Sequence, residues 1–306
     1  MRTPDPTEEK RMLAKIVRRI VAPVALAFAM TGLVATPSGA ITGNFVPDFE
    51  HEYVGLIVFY DESGEFVHRC TGSLLSSTVF LTAGHCVTID DETGELAASA
   101  RIYFEQDAGA DYDPVTDTPA TSGYPYTGGV TASTFYAFDY QGISVPATNN
   151  DVGLVILDQP YVLDTYGSLG APGTLEDYGT GPDARVTVSG YGVTYVNGNP
   201  AATESYRSRL MANTWIIGTN GVANDINVQL SSAPGRGGGG TCFGDSGGPT
   251  LLYGTDTIVA VTSFGMSANV CGGTEFNFRV DTVEVQDWMQ SVLTDEQWAE
   301  IDIVQL

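Results

Sequence analysis

The chain has 306 residues, of which 43% are hydrophobic, and it carries 37 acidic residues against 13 basic ones. This length and apolar content are enough for one large domain or for two closely packed halves. The strong negative charge favours solubility and argues against nucleic acid or an anionic membrane as a partner.

The first forty residues have the pattern of a signal peptide. Five Lys and Arg residues lie between positions 10 and 19, an apolar run covers 20–35, and small residues cover 36–40. The apolar run is short for a membrane span, so a cleaved export signal is favoured over an anchor. The adjacent Arg18 and Arg19 also permit a twin-arginine route. We therefore expect a secreted, extracellular protein that keeps no stable membrane association.

Most of the basic charge lies in this leader. It contains six of the 13 basic and three of the 37 acidic residues, so residues 41–306 carry seven basic and 34 acidic residues, a formal charge of −27. The remaining 266 residues are expected to act as a monomer.

The body of the chain reads as short β-strands separated by clusters of Gly, Pro, Asn and Asp. Apolar runs that predict such strands cover 54–60, 79–83, 152–157, 186–189 and 258–264. No long amphipathic helix interrupts them, so the pattern indicates an all-β body.

One histidine stands in a setting that suits catalysis. His85 follows the apolar run at 79–83 and is itself followed by Cys86, which could fix its position. The two other histidines, His51 and His68, have no such setting, and we interpret them as surface or loop residues.

A long segment from 105 to 148 is rich in Gly, Tyr, Thr and Pro, as loops are. Four of its carboxylates could supply oxygen ligands to calcium: Asp107, Asp111, Asp113 and Asp117. Clustered carboxylates in so acidic a protein are more often solvated, so we assign no metal site here.

An aspartate that could orient His85 must be chosen among many acids. Asp151 ends a polar stretch and directly precedes the apolar run at 152–157. An aspartate at the mouth of a buried strand can be shielded from water while it binds a histidine nitrogen. We therefore choose Asp151, with Asp139 as the alternative.

The segment 241–250 reads TCFGDSGGPT and places Ser246 among three glycines. Glycine allows backbone conformations that let a substrate carbonyl approach main-chain N–H groups, so Gly244 and Ser246 could stabilise an oxyanion beside the serine hydroxyl. The same residues fit the nucleophile elbow of α/β-hydrolases, but that fold places its histidine after the serine. All three histidines here precede Ser246, so the elbow interpretation fails.

Near the end of the chain, apolar residues follow a helical period. Val285, Trp288, Met289, Val292 and Leu293 form one stripe, with Asp281 or Thr282 as the cap. The pattern predicts a C-terminal helix over about 281–302.

Together these motifs resemble those of trypsin/chymotrypsin-like serine endopeptidases, in particular a secreted, bacterial-type member. Residues 81–86 are similar to the histidine motif of that family, and 244–249 match its serine motif. The resemblance implies two packed six-stranded antiparallel β-barrels with a C-terminal α-helix. The N-terminal barrel would cover about 41–165 and the C-terminal barrel about 166–280.

The resemblance also implies a mechanism that needs no cofactor. Ser246 would attack a peptide bond of a protein or peptide substrate, His85 would be the base, and Asp151 would orient the histidine. Gly244 and Ser246 would hold the oxyanion. A family member that has lost catalysis and acts as a secreted binding or adhesion module is the alternative.

Four cysteines remain after the leader, and an exported protein is expected to pair them. The family pattern implies the disulfides Cys70–Cys86 and Cys242–Cys271. A zinc site is the competing interpretation, and the spacing of the cysteines does not favour it.

The resemblance places substrate-binding residues near Ser246. The segment 263–265, Ser263, Phe264 and Gly265, would pair with the substrate backbone. Gly240 occupies the place where trypsin-like members carry an acid, which predicts a neutral pocket for aromatic or large aliphatic side chains. Glu275 lies where the opposite wall is expected and could receive Arg or Lys instead. Strand alternation does not determine which face of 275–280 lines the pocket.

The resemblance also implies how the protein is activated, through the start of the mature chain. The sequence Ile-Thr-Gly-Asn from Ile41 resembles the new N-terminus of activated family members, and it follows Ala40 directly. We therefore expect export and activation to be one cut, after which the Ile41 ammonium pairs with Asp245.

Overall fold

Short β-strands are the main regular elements of the described chain. The structure, a computed structural model, describes residues 41–110, 128–142, 150–194, 204–205, 208–219, 226–233, 237–265 and 271–305. The strands of this part of the chain are, in order, β1 Thr42–Gly43, β2 Phe45–Pro47, β3 Val54–Tyr60, β4 Phe66–Leu74, β5 Val79–Thr82, β6 Thr88–Asp90, β7 Glu95–Leu96, β8 Ser99–Tyr103, β9 Val130–Ala137, β10 Gly153–Leu157, β11 Ser168–Gly170, β12 Arg185–Gly190, β13 Val193–Thr194, β14 Glu204–Ser205, β15 Leu210–Gly218, β16 Asn227–Ser232, β17 Gly239–Gly240, β18 Pro249–Leu252, β19 Thr257–Gly265, β20 Gly273–Arg279 and β21 Ile303–Val304. Its helices are α1 Gly84–Val87, α2 Thr174–Tyr178, α3 Val283–Val292 and α4 Asp295–Ala299.

The first barrel is a closed ring of antiparallel strands in the order β3, β4, β5, β10, β9 and β8. All seven residues of β3 and all four of β5 are buried. The apolar runs that predicted strands at 54–60, 79–83 and 152–157 form β3, β5 and β10.

The second barrel is a ring of β12, β15, β16, β20, β19 and β18, closed by hydrogen bonds between β18 and β19. Its interior holds the apolar side chains of β12, β15 and β16, among them Val186, Leu210 and Val228. The predicted fold, two six-stranded antiparallel barrels followed by a C-terminal helix, is confirmed.

The start of the mature chain belongs to the second barrel. β1 pairs with β17, and β2 pairs with β15. These pairings join residues 42–47, which the sequence placed in a first barrel of about 41–165, to strands of the C-terminal half of the chain. These strands are two and three residues long, and such short segments carry no sequence signal for the partner that they meet.

The C-terminal helix is divided into two segments. Thr282 caps α3 by accepting the Val285 N–H, and Val285 and Met289 on the predicted stripe are buried. Thr294 then starts α4 with a capping box that involves Gln297. Such a box satisfies the first free N–H groups of a new helix, which explains the break inside the predicted range.

Two parts of the sequence interpretation lie outside the described residues: the leader 1–40 and most of the segment that was weighed as a calcium site, including Asp111, Asp113 and Asp117. Within the described ranges, no helix is long and apolar enough to cross a membrane.

A buried polar cluster ties the segment after β2 to the second barrel. Both carboxylate oxygens of Asp48 lie within 3.0 Å of His51 Nδ1, and Ser189 Oγ of β12 donates to Asp48 Oδ2 at 2.5 Å. The buried Arg209 donates from Nε to the Asp48 carbonyl at 3.2 Å. His51, interpreted from the sequence as a surface or loop residue, lies in the loop between β2 and β3 but is buried, with Asp48 as its partner.

The other unassigned histidine, His68, is half-buried on β4. Its Nε2 lies 2.6 Å from the Cys86 carbonyl oxygen, and burial lowers the pKa of the ring.

The Asp48 cluster gives a prediction for stability against pH. Burial alone would raise the pKa of Asp48, but the hydrogen bond and charge of His51 outweigh it and lower the pKa to about 2. A depressed carboxyl pKa adds stability above the unfolded pKa near ~3.9, and this stability is lost as pH falls towards the folded value. The contribution is about 2 kcal/mol at neutral pH.

We therefore expect Asp48→Asn to lower the free energy of unfolding at pH 7, with a difference from wild type that shrinks by about 1 kcal/mol by pH 3. Urea unfolding at several pH values measures this. The exposed Asp164→Asn variant removes the same charge and serves as the control. A difference between Asp48→Asn and wild type that stays constant from pH 7 to pH 3 would contradict the assignment.

Candidate active site

The fold brings His85 and Asp151 together through strand pairing. His85 lies in α1, directly after β5, and Asp151 lies two residues before β10, which pairs with β5. His85 Nδ1 is 2.9 Å from Asp151 Oδ2 and 3.1 Å from Oδ1, and the His85 backbone N–H donates to Oδ1 at 2.8 Å. Asp139, the alternative, is exposed at a turn after β9, so the carboxylate that holds His85 is that of Asp151.

Close packing at β10 explains the small residue after Asp151. A Cβ atom on Gly153 would lie 2.8 Å from the Ala83 carbonyl oxygen and 2.9 Å from a Val87 methyl group. Any larger residue would push β10 away from α1 and so separate Asp151 from His85.

Asp151 is almost completely out of water, with 1% of its surface exposed. Burial alone would raise the pKa of Asp151, but the charge and hydrogen bonds of His85, together with a hydrogen bond from the Ser263 hydroxyl, lower it. The carboxylate therefore stays ionised in an apolar setting. Sequence reasoning assigned Ser263 to substrate pairing and did not detect this contact, because it joins residues 112 positions apart.

The ionised carboxylate changes the acidity of the histidine. Burial alone would lower the pKa of His85, but the charge and hydrogen bond of Asp151 outweigh it and raise the pKa above its usual value of 6.5. Because Nδ1 faces Asp151, Nε2 is the ring nitrogen that remains available for proton transfer.

The serine loop, residues 243–248, connects the two barrels. Thr71 of β4 donates from Oγ1 to the Gly244 carbonyl at 2.8 Å and from its backbone N–H to the Ser246 carbonyl at 2.9 Å. Gly244 and Gly247 have φ values of 95° and 79°, in the left-handed region that favours glycine. A Cβ on Gly247 would overlap the Thr82 hydroxyl, so this position also excludes larger residues on steric grounds.

The peptide planes of this loop orient two N–H groups. The Phe243 carbonyl accepts the Val193 N–H, and the Asp245 carbonyl accepts the Gly248 N–H, each at 2.8 Å. In a planar trans peptide the following N–H points the opposite way. The N–H groups of Gly244 and Ser246 therefore point away from these partners, and neither donates to another described residue.

A cavity of about 240 Å³ opens beside these groups. His85 and Ser246 both line it, as do Ser263, Phe264 and Gly265 at the end of β19. The cavity is therefore placed to hold a ligand against the serine, the histidine and an accessible strand end.

The far wall of the cavity contains Glu275 of β20. Glu275 Oε2 accepts hydrogen bonds from Ser232 Oγ at 2.7 Å and from the Thr241 N–H and hydroxyl at 2.7 and 2.8 Å. Burial raises the pKa of Glu275. Gly240, the position that the sequence assigned to the pocket base, lies beside this carboxylate.

Asp245, next to Ser246, is completely buried. Its carboxylate accepts only neutral donors within the described residues, the N–H groups of Gly192 and Cys242, at 2.8 Å each. Burial raises the pKa of Asp245 to about 7. Ile41 is also fully buried, and the adjoining Thr42 pairs with Gly240, close in sequence to the serine loop.

The cysteines form the two disulfides that the resemblance implied, Cys70–Cys86 and Cys242–Cys271. Cys70, Cys86 and His85 lie close enough to share an ion, with ligand atoms within 4.8 Å of one another. Because the two sulfurs are bonded to each other, they cannot act as the thiolate ligands that zinc prefers.

Two closed six-stranded barrels with a short C-terminal helix define the chymotrypsin-like class of fold. The family model described as Trypsin matches residues 49–289, and the chain therefore belongs to the trypsin family of serine endopeptidases.

Several animal proteins are similar in sequence. Trypsin zeta of Drosophila erecta is 27% identical over 249 residues, which cover 76% of this chain and 78% of that protein. Brachyurin of Leptuca pugilator is 28% identical over 228 residues, which cover 74% and 88%. Chymotrypsin of Phaedon cochleariae is 28% identical over 245 residues, which cover 77% and 75%. These relatives give no support to the bacterial type that the sequence suggested.

Solved structures share the fold at lower identity. HL collagenase has a TM-score of 0.60 at 20% identity, covering 81% of this chain and 96% of its own. Human heparin binding protein and an inactivated protease paralogue of the scabies mite each have a TM-score of 0.54 at 20% identity, covering 83% and 96%. The fold is therefore shared by a collagenase, a heparin binding protein and an inactivated protease paralogue.

The geometry around His85 predicts its titration. NMR of the histidine rings should give a pKa for His85 above 6.5, and Asp151→Asn should lower it because the substitution removes the neighbouring negative charge. His68 provides an internal control, with a pKa below 6.5 because of burial. A His85 pKa that is the same in wild type and in Asp151→Asn would contradict the assigned contact.

Proposed function

We propose that this protein is an active, secreted serine endopeptidase with His85, Asp151 and Ser246 as its catalytic residues. The observation that carries the proposal is that His85, bonded through Nδ1 to the buried Asp151, opens onto the same cavity as Ser246. Membership of the trypsin family supports peptide hydrolysis as the reaction.

The reaction proceeds through an acyl-enzyme. Ser246 Oγ attacks the scissile carbonyl carbon while His85 Nε2 takes its proton. His85 then gives this proton to the leaving amine, and a water molecule hydrolyses the ester by the same route. Asp151 holds the tautomer with the proton on Nδ1 and stabilises the imidazolium that forms.

The oxyanion is held by the N–H groups of Gly244 and Ser246. Both are oriented by the bonded carbonyls that precede them, and neither is engaged by a described residue. Donors that are fixed before the reaction stabilise the developing charge without reorganisation.

The substrate backbone pairs with residues 263–265. Ser263, Phe264 and Gly265 line the cavity, and Gly265 at the end of β19 is exposed. The register of β19 against β20 shifts between Thr262 and Phe264, where the strand reaches the cavity.

Activation follows export in a single cut before Ile41. The buried carboxylate of Asp245 meets only neutral donors among the described residues, and burial raises its pKa. The new α-ammonium of the buried Ile41 supplies that cation and orders the loop of Gly244 and Ser246.

The alternative is a catalytically silent binding module. The fold alone does not distinguish it from an enzyme, because an inactivated protease paralogue has the same fold. Fluorophosphonate labelling separates the two functions, since only an activated serine reacts. Labelling of wild type and its loss in Ser246→Ala supports the enzyme, and absence of labelling in the correctly processed protein supports the module.

Substitutions in the catalytic group should abolish turnover of casein or of a chromogenic peptide. Ser246→Ala or His85→Ala is expected to reduce kcat on the order of 10⁶-fold. Asp151→Asn should reduce it by roughly 10⁴-fold, because it favours the wrong histidine tautomer. Circular dichroism verifies that each variant is folded. Near-normal turnover by folded Asp151→Asn would show that another acid orients His85.

Processing gives an independent prediction. N-terminal sequencing of the secreted enzyme should read Ile-Thr-Gly-Asn, and two extra residues ahead of Ile41 should reduce kcat by about 10²–10³-fold because an oxyanion donor is lost. The ammonium must stay protonated, and pairing raises its pKa above ~7.7–8.0, so activity should fall at alkaline pH. Full turnover by the extended form would overturn this mechanism of activation.

A further inference from the structure

We infer that the cavity beside Ser246 selects an arginine or lysine side chain before the scissile bond, and that Glu275 is the residue that binds it. The inference rests on the proposed function, because selection matters only if Ser246 cleaves. It replaces the neutral pocket that Gly240 predicted, and it follows from the contact between Gly240 and Glu275 and from the residues that line the cavity.

The first observation is that Gly240 leaves room for a carboxylate from another strand. A Cβ at Gly240 would overlap the Ser232 side chain and would lie 3.1 Å from Glu275 Oε2. An acid could not be added at Gly240 without displacing Ser232 and bringing a second carboxylate against Glu275. The negative group of the pocket therefore comes from Glu275 of the neighbouring β20.

The second observation is an unsatisfied carboxylate oxygen. Glu275 is 4% exposed, and its Oε2 already accepts three hydrogen bonds from Ser232 and Thr241. Its Oε1 is buried and has no hydrogen-bond partner among the described residues. A buried acceptor without a partner destabilises the protein, and more so when it is charged. A guanidinium or ammonium group that enters the cavity removes this cost.

The walls suit the rest of such a side chain. Phe264 lines the cavity, and its ring stacks on that of Phe276, with centroids 4.8 Å apart and planes 7° from parallel. Long basic side chains place their methylene groups along apolar surface and extend their charge beyond it. The cavity thus offers an apolar wall and a carboxylate to one ligand.

Titration of Glu275 should tune this preference. Among the described residues around Glu275, Ser232 of β16 and Thr241 after β17 present hydroxyl and N–H groups. The titratable groups nearby are Asp245 and His85. Burial raises the pKa of Glu275 above its usual 4.5. A protonated Glu275 cannot pair with a cation, and the cavity then accepts neutral side chains.

The test uses peptide substrates that differ only in the residue before the scissile bond, Arg, Lys or Phe. Wild type should prefer Arg and Lys, and Glu275→Gln should lower the ratio of kcat/KM for Arg or Lys to that for Phe by about 10²–10³-fold. Asp164→Asn, an exposed change of the same charge, should leave all three values unchanged. A wild type that prefers Phe, or an Arg preference that survives in Glu275→Gln, overturns the inference.

The pH dependence provides a second readout. In wild type the ratio of kcat/KM for Arg to that for Phe should fall as pH decreases, because Glu275 takes up a proton. His85 protonation affects both substrates alike and cancels in the ratio. In Glu275→Gln the ratio should not vary with pH. A constant ratio in wild type contradicts the role of Glu275.

Binding without catalysis separates this inference from the proposed function. Benzamidine, a planar amidinium, should bind Ser246→Ala protein in calorimetry, and Ser246→Ala/Glu275→Gln protein should bind it at least 10²-fold more weakly. Glu275-dependent binding in a protein whose wild type lacks peptidase activity would refute the proposed function and support the pocket. Equal binding by the two variants would refute the pocket even if Ser246 is catalytic.

Discussion

The structure depends on one constraint, which is that a carboxylate removed from water must find compensation. Asp48 and Asp151 each meet this constraint with a histidine ring. Asp245 and Glu275 do not meet it with any cation among the described residues, and burial raises the pKa of both. In our proposals the missing cations are the α-ammonium of the processed chain and the side chain of the substrate. Activation and specificity then have the same physical origin.

The structure also depends on the contact between the two barrels. Histidine and aspartate are supplied by the first barrel, and the serine loop is supplied by the second. Thr71 joins them, since it binds the carbonyl groups of both Gly244 and Ser246. These contacts hold the serine loop against the strand that leads to His85. A site assembled in this way is sensitive to any change that shifts one barrel against the other.

Much of the fold could be predicted because the signals were local. The runs at 54–60 and 79–83 are apolar and short, as buried strands are, and the stripe around Met289 has the period of a helix. His51 shows where such reasoning failed. Its burial depends on Asp48, three residues away, whose carboxylate also accepts a hydrogen bond from Ser189, which is far away in sequence. Nothing in the local pattern indicates the second contact.

The sequence by itself determined which chemical groups are present and in what order, because His85, Asp151 and Ser246 each stand in a recognisable local motif. It also predicted the strands, since apolar runs are local. Only the tertiary structure decided the position of Glu275 beside the cavity. Both faces of β20 are buried, so alternation of apolar and polar residues could not indicate which face meets the cavity. Closure of the second barrel brings Glu275 against Gly240, and that proximity depends on strands distant in sequence.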